Sequence, residues 1–198
     1  MRAATIWLSV LLLGISTSAL PSLAQSQQPT AFTLDLAGLP QSVRVLFDRS
    51  AIVVEAHVQS VFPSSRIAGR KIPPMDTDAV LTVDRVIKGS FSSAQFVTSQ
   101  PGGTLDGKTA ISNQFPLMRP GEHYILLLSA PAAGGPYIER PGFQRLIIAG
   151  IFAGLLKVES SGKVYASDGM PPAFKSSVDG REKTDLLQEF ETLSKKGE

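Results

Sequence analysis

Two histidines, no cysteine and a scatter of carboxylates set the chemistry open to this 198-residue chain. His57 shares a two-residue period with Glu55 and Gln59, a trio in which a general base or metal ligand can be imagined. The same polar trio is also what the solvent face of an antiparallel strand requires, and that is how it is read. Glu122 and His123 bring acid and imidazole together in sequence, but neighbours on a strand point to opposite faces and do not converge. Two histidines cannot supply a three-histidine zinc site, and no helical His-Glu-x-x-His arrangement is present, so no metal centre or cofactor is expected.

Nucleophilic and acid–base catalysis fare no better. No serine lies in a Gly-x-Ser-x-Gly elbow, and there is no thiol. Asp84, Asp106 and Glu122 fall in turns and on exposed strand faces, and nothing sets the spacing that paired carboxylates of a glycosidase need. Gly102-Gly103 and Gly134-Gly135 lack the lysine and following helix of a phosphate loop, and read as turns. The chain is therefore expected not to be an enzyme. A positive signal lies between residues 62 and 75, where Arg66, Arg70 and Lys71 follow Phe62 without an acidic neighbour. Charge and ring stacking there could grip an anionic polymer, so Phe62, Arg66, Arg70 and Lys71 are the candidate ligand-binding residues.

These residues must be carried by a small set of elements. Arg2, the apolar run 6–15 and Ser22-Leu23-Ala24 have the layout of a secretory signal peptide over residues 1–24. The run is too short to span a bilayer, so export to a bacterial periplasm or the extracellular space is expected, without stable membrane insertion after cleavage. Absence of cysteine excludes a disulfide scaffold. The formal charge of +2 falls by one when Arg2 leaves, so the pI near 9.0 reflects a weak field, and nucleic acid is not an expected partner. A hydrophobic fraction of 43% is enough for one closed core.

Residues 25–38 read as a disordered lead, and 39–178 as one β domain. Pro40 opens a short helix over 41–48. The period then changes to two over 51–61, a strand. Three prolines make 62–78 a long loop, and 77–87 is β-rich up to the turn Lys88-Gly89-Ser90. Short strands follow at 95–99, 108–114 and 137–139, with a flexible tip at 131–136 between the last of these and a strand over 123–129, whose continuous apolar run suits burial on both faces. Gly150 and Gly154 break the apolar stretch 146–158 into a bent strand or a strand pair, and 160–163 is a hairpin turn. Over 179–198 an amphipathic helix is predicted, with Leu186, Leu187, Phe190 and Leu193 on one side. Short strands with Gly/Pro turns between terminal helices point to a small Greek-key barrel in preference to a sandwich.

Three segments read together carry a resemblance: Arg49-Ser50-Ala51-Ile52-Val53-Val54-Glu55-Ala56-His57-Val58, Thr82-Val83-Asp84-Arg85-Val86-Ile87-Lys88-Gly89, and Gly121-Glu122-His123-Tyr124-Ile125-Leu126-Leu127-Leu128. The series resembles the netrin-like fold, which includes the tissue inhibitors of metalloproteinases, and a group of exported bacterial proteins. It covers roughly residues 49 to 158 and implies a barrel of the oligonucleotide/oligosaccharide-binding type. Those inhibitors chelate the protease zinc through an N-terminal cysteine, which this chain lacks, so that wedge and its residues do not carry over. The expected function is a non-enzymatic exported binding module for a protein or polysaccharide partner. A peptidase inhibitor or peptidase-associated protein is the alternative, and a hydrolase a further one.

Overall fold

The computed structural model describes residues 29–33, 38–65, 75–130, 140–150 and 152–196. In chain order its elements are β1 (Thr30–Phe32), α1 (Val43–Arg49), β2 (Ile52–Ser65), β3 (Met75–Lys88), β4 (Gln95–Pro101), β5 (Gly103–Leu105) and β6 (Lys108–Ser112). After these come β7 (His123–Ser129), β8 (Gln144–Arg145), β9 (Ile147–Ile148), β10 (Leu155–Val158), β11 (Lys163–Ala166), α2 (Pro172–Ser176), β12 (Arg181–Glu182) and α3 (Lys183–Lys196). The signal-like segment 1–24, the basic residues Arg66, Arg70 and Lys71, Gly134-Gly135, and the strand expected at 137–139 lie outside the described residues.

The fold is mainly β. One sheet runs in the order β12-β11-β10-β7-β2-β3-β4-β8, with β9 added on β7, and a small sheet runs β1-β6-β5. The apolar run of β7 sits centrally between β2 and β10, and residues 124–128 are buried, which a strand covered on both faces requires. Val53, Ile125, Leu127, Leu156 and Val164 face one side and pack against α1, α2 and α3. Val54, Ala56, Val58, Leu81, Phe96, Leu126 and Leu155 face the other. Period-two alternation thus feeds two cores from the same strands.

α1 starts at Ser42, whose hydroxyl accepts from Val45 N, and ends under Ser50, whose hydroxyl donates to Leu46 O at 2.7 Å. Lys88 Nζ donates to Phe47 O at 2.7 Å, satisfying a carbonyl at the helix C-terminus, and stands over the Phe47 ring. Gly89 follows with φ of 77°, and a Cβ there would lie 2.4 Å from Ala51 O. The Lys-Gly turn therefore clamps α1 to the sheet, and only glycine passes so close to the Ala51 backbone. The face of α3 reads as expected: Leu186, Leu187 and Phe190 are buried, and Phe190 stacks on Phe47 at 4.7 Å between centroids.

Several expectations are corrected. Residues 62–65 and 75–78 are not loop but extensions of β2 and β3, paired from Phe62 opposite Asp78 to Ser65 opposite Met75. Pro63 is tolerated because β2 pairs with β7 only as far as His57, so beyond it β3 is its strand partner among the described residues. Thr30–Phe32, inside the expected lead, pairs in parallel with β6. Gly103–Leu105, read as part of a turn region, forms a hairpin with β6, and α2 was not anticipated. Among the described residues the sheet is not closed into a barrel: its pairing path ends at β12 on one side and β8 on the other. No helix among the described residues is long and apolar enough to cross a membrane.

Candidate functional site

Phe62, the described member of the predicted ligand-binding set, is 40% exposed on the outer half of β2. It lines a groove of about 510 Å³ together with Val61, Pro63, Ile111, Leu117 and Met118. Ile111, on β6, is 44% exposed, so two of the four exposed large hydrophobic residues among those described share this groove. Thr77 from β3 and Gly103-Thr104 from β5 complete the wall, and Arg119 stands at its rim. The groove therefore lies between the extended β2–β3 hairpin and the small sheet. An exposed apolar concavity of this kind, bordered by one edge of β2 that has no strand partner beyond His57 among the described residues, suits an extended chain segment.

A buried ionic network holds Phe62 in place. Arg140 Cζ sits 4.7 Å from the Phe62 ring centroid, and Arg140 Nε donates to Asp78 Oδ2 at 2.9 Å. Asp78, directly opposite Phe62 in register, is 1% exposed and also receives both Nη atoms of Arg145, at 3.2 and 3.3 Å, and the Ser99 hydroxyl at 2.6 Å. Burial alone raises the Asp78 pKa, but the hydrogen bonds from Arg145, Ser99 and Arg140 and the Arg145 charge outweigh it, and the carboxyl is held below its ordinary value. The carboxylate thus fixes two arginines, one of which fixes the aromatic ring.

Glu122 and His123 point to opposite faces, as expected from their adjacency. Glu122 accepts from Arg119 N, from the Tyr124 hydroxyl at 2.6 Å and from Lys157 Nζ at 2.7 Å. Burial pushes its pKa up, but the bonds from Lys157, Tyr124 and Arg119 prevail and lower it. The buried Tyr124 phenol is raised by burial first and by its bond to Glu122 second. This cluster locks the turn around Gly121, whose N–H donates to Val58 O at 2.8 Å. Asp106 lies in the β5–β6 turn with φ of 50°, apart from both other carboxylates of the predicted trio.

His57, expected on the solvent face, is partly exposed there and has close polar neighbours. It lies directly opposite His123 in the β2–β7 register, and Asp84 of β3 stands 2.8 Å from its Nδ1. Glu55 and Gln59, its expected companions, are engaged elsewhere, with Lys183 at 2.6 Å and with Gln95. Sequence reading therefore missed Ile111, Arg119 and Arg140 at the groove, and the convergence of His57, Asp84 and His123. Cross-strand register decides the histidine pairing and the neighbours of Ile111, and long-range packing of loops brings in Arg119 and Arg140, which lie in no strand; no local signal in the chain announces either. No protein-family model and no curated protein matches the chain.

Proposed function

We propose that the protein is an exported, non-enzymatic binding module that takes an extended protein segment into the groove beside Phe62. The observation that carries this reading is the pairing of exposed Phe62 and Ile111 in one apolar groove, with the Phe62 ring pinned by Arg140. An aromatic anchor held rigid before binding loses little entropy on association. Aliphatic walls from Leu117 and Met118 favour protein side chains over the hydroxyls of a sugar. The netrin-like kinship and the barrel it implies belong to the same proposal, resting on the three strand-and-turn segments. Export rests on the signal-like layout of residues 1–24.

The test is binding of the purified protein to arrayed extracellular proteins and, in parallel, to neutral and anionic glycans at two salt concentrations. Protein ligands should be retained and lose about 30-fold in affinity on Phe62→Ala, the loss expected of a central aromatic anchor. Ile111→Ser should weaken the same ligands. Binding to glycans alone, lost at high salt, would make this a polymer-binding protein and overturn the groove reading. Protein binding indifferent to both substitutions would also overturn it.

A further inference from the structure

The only two histidines of the chain meet on adjacent strands, and a β-bulge delivers a carboxylate to them. His57 on β2 and His123 on β7 are direct cross-strand partners, with ring centroids 5.5 Å apart. On the other side of β2, Ala56 pairs with Val83 and Glu55 with Arg85, so Asp84 is the extra residue of a bulge in β3. Bulges re-aim side chains, and here the carboxylate reaches back over β2 to sit between both imidazoles. Its oxygens lie 2.8 Å from His57 Nδ1 and 3.8 Å from His123 Nδ1.

From this geometry we infer that His57, Asp84 and His123 form a binding site for one divalent transition cation of the zinc class. Donor atoms of the three side chains all lie within 4.8 Å of one another. Ligands about 2.0 to 2.1 Å from a tetrahedral zinc are roughly 3.3 Å apart, so closure around a cation takes side-chain rotations that bring donor atoms together by up to about 1.5 Å. Two imidazoles and one carboxylate suit zinc, cobalt, nickel or copper, whereas calcium and magnesium select all-oxygen shells. The strands that carry the donors are central in the sheet, and the flanking Ala56 and Tyr124 are buried, so the donor backbones are rigidly held.

Access and charge agree with the assignment. The three side chains are 35%, 34% and 54% exposed for His57, Asp84 and His123, so a cation reaches them without opening the fold. A groove of about 650 Å³ opens beside His123, where water or an external ligand completes the coordination. Lys157 and Lys183 line that groove, yet each is ion-paired, with Glu122 at 2.7 Å and Glu55 at 2.6 Å. Arg85, next to the carboxylate in sequence, is paired with Glu191 on α3. The nearby positive charge is thus compensated and does not oppose a cation.

The deciding experiment titrates chelator-stripped purified protein with zinc and, separately, with cobalt, by calorimetry and visible absorption. One equivalent should bind, and the His57 and His123 ring resonances should both shift in the NMR spectrum of the wild-type protein, a readout independent of any variant. His57→Gln, Asp84→Asn and His123→Gln should each weaken zinc by at least about tenfold, no less than the loss of a supporting contact costs at a metal site. Far-UV circular dichroism of the variants separates ligand loss from unfolding. Absence of saturable one-to-one binding, or binding that leaves both ring resonances in place, overturns the assignment. Binding at the groove beside Phe62 is unaffected by either outcome.

Discussion

At the scale of single residues, the side chain with most consequence is Asp78, a carboxylate almost without solvent that faces two arginines and a hydroxyl. Asp78→Asn preserves shape but removes the counter-charge from Arg145, and breaking such a buried pair costs about 3 kcal/mol or more. Because the folded pKa lies below the unfolded one, the ion pair stabilises the fold above the ordinary aspartate range, and that contribution is lost as pH falls through the lowered value. Urea denaturation between about pH 5 and pH 2 should show wild-type stability falling steeply and the variant falling less. Equal slopes would show that Asp78 is not a source of the acid sensitivity. None of this was legible from the chain, since Asp78, Ser99 and the pair Arg140 and Arg145 come from three separate segments.

Among the elements, the turn after β3 shows how a local motif serves a distant one. Gly89 and Gly121 have nearly the same positive φ, 77° and 84°, but a Cβ on Gly89 would strike Ala51 O whereas one on Gly121 meets nothing within 4 Å. Gly121→Ala should therefore cost about 1 kcal/mol, the backbone penalty alone. Gly89→Ala should cost clearly more, about 2 kcal/mol or above, by adding displacement of the α1–β2 junction. Chemical denaturation of the two variants measures the difference, and equal losses would contradict the clamp. The turn itself was plain in the sequence. That Lys88 closes the end of α1 was not, because the contact spans some forty residues.

Over the whole molecule, α1, α2 and α3 share one apolar cluster with β2, β7, β10 and β11, while β2, β7 and β10 also feed a second cluster on their other face. Layers coupled through common strands should unfold together. Phe190→Ala, which removes the ring stacked on Phe47, should cost about 3 to 5 kcal/mol and lower the transition without splitting it. Thermal melts followed by far-UV circular dichroism and by tyrosine fluorescence should coincide in both proteins. Separate transitions would mean that the helical layer melts independently of the sheet.

The amino-acid sequence by itself determined the β-rich class, the strand β7 to the residue, the short helix α1, the amphipathic face of α3 and the break near Gly150 and Gly154. Each of these follows from periods and turn residues within about a dozen positions. Tertiary structure alone decided the rest. Pairing with β3 turned the proline-bearing 62–65 into strand, and the pairing path of the described residues runs from β12 to β8 without closing. Register placed His57 opposite His123, and a bulge carried Asp84 to them. Such sites are set by which strands become neighbours and by one-residue shifts between them, and those are properties of the assembled sheet that no window along the chain contains.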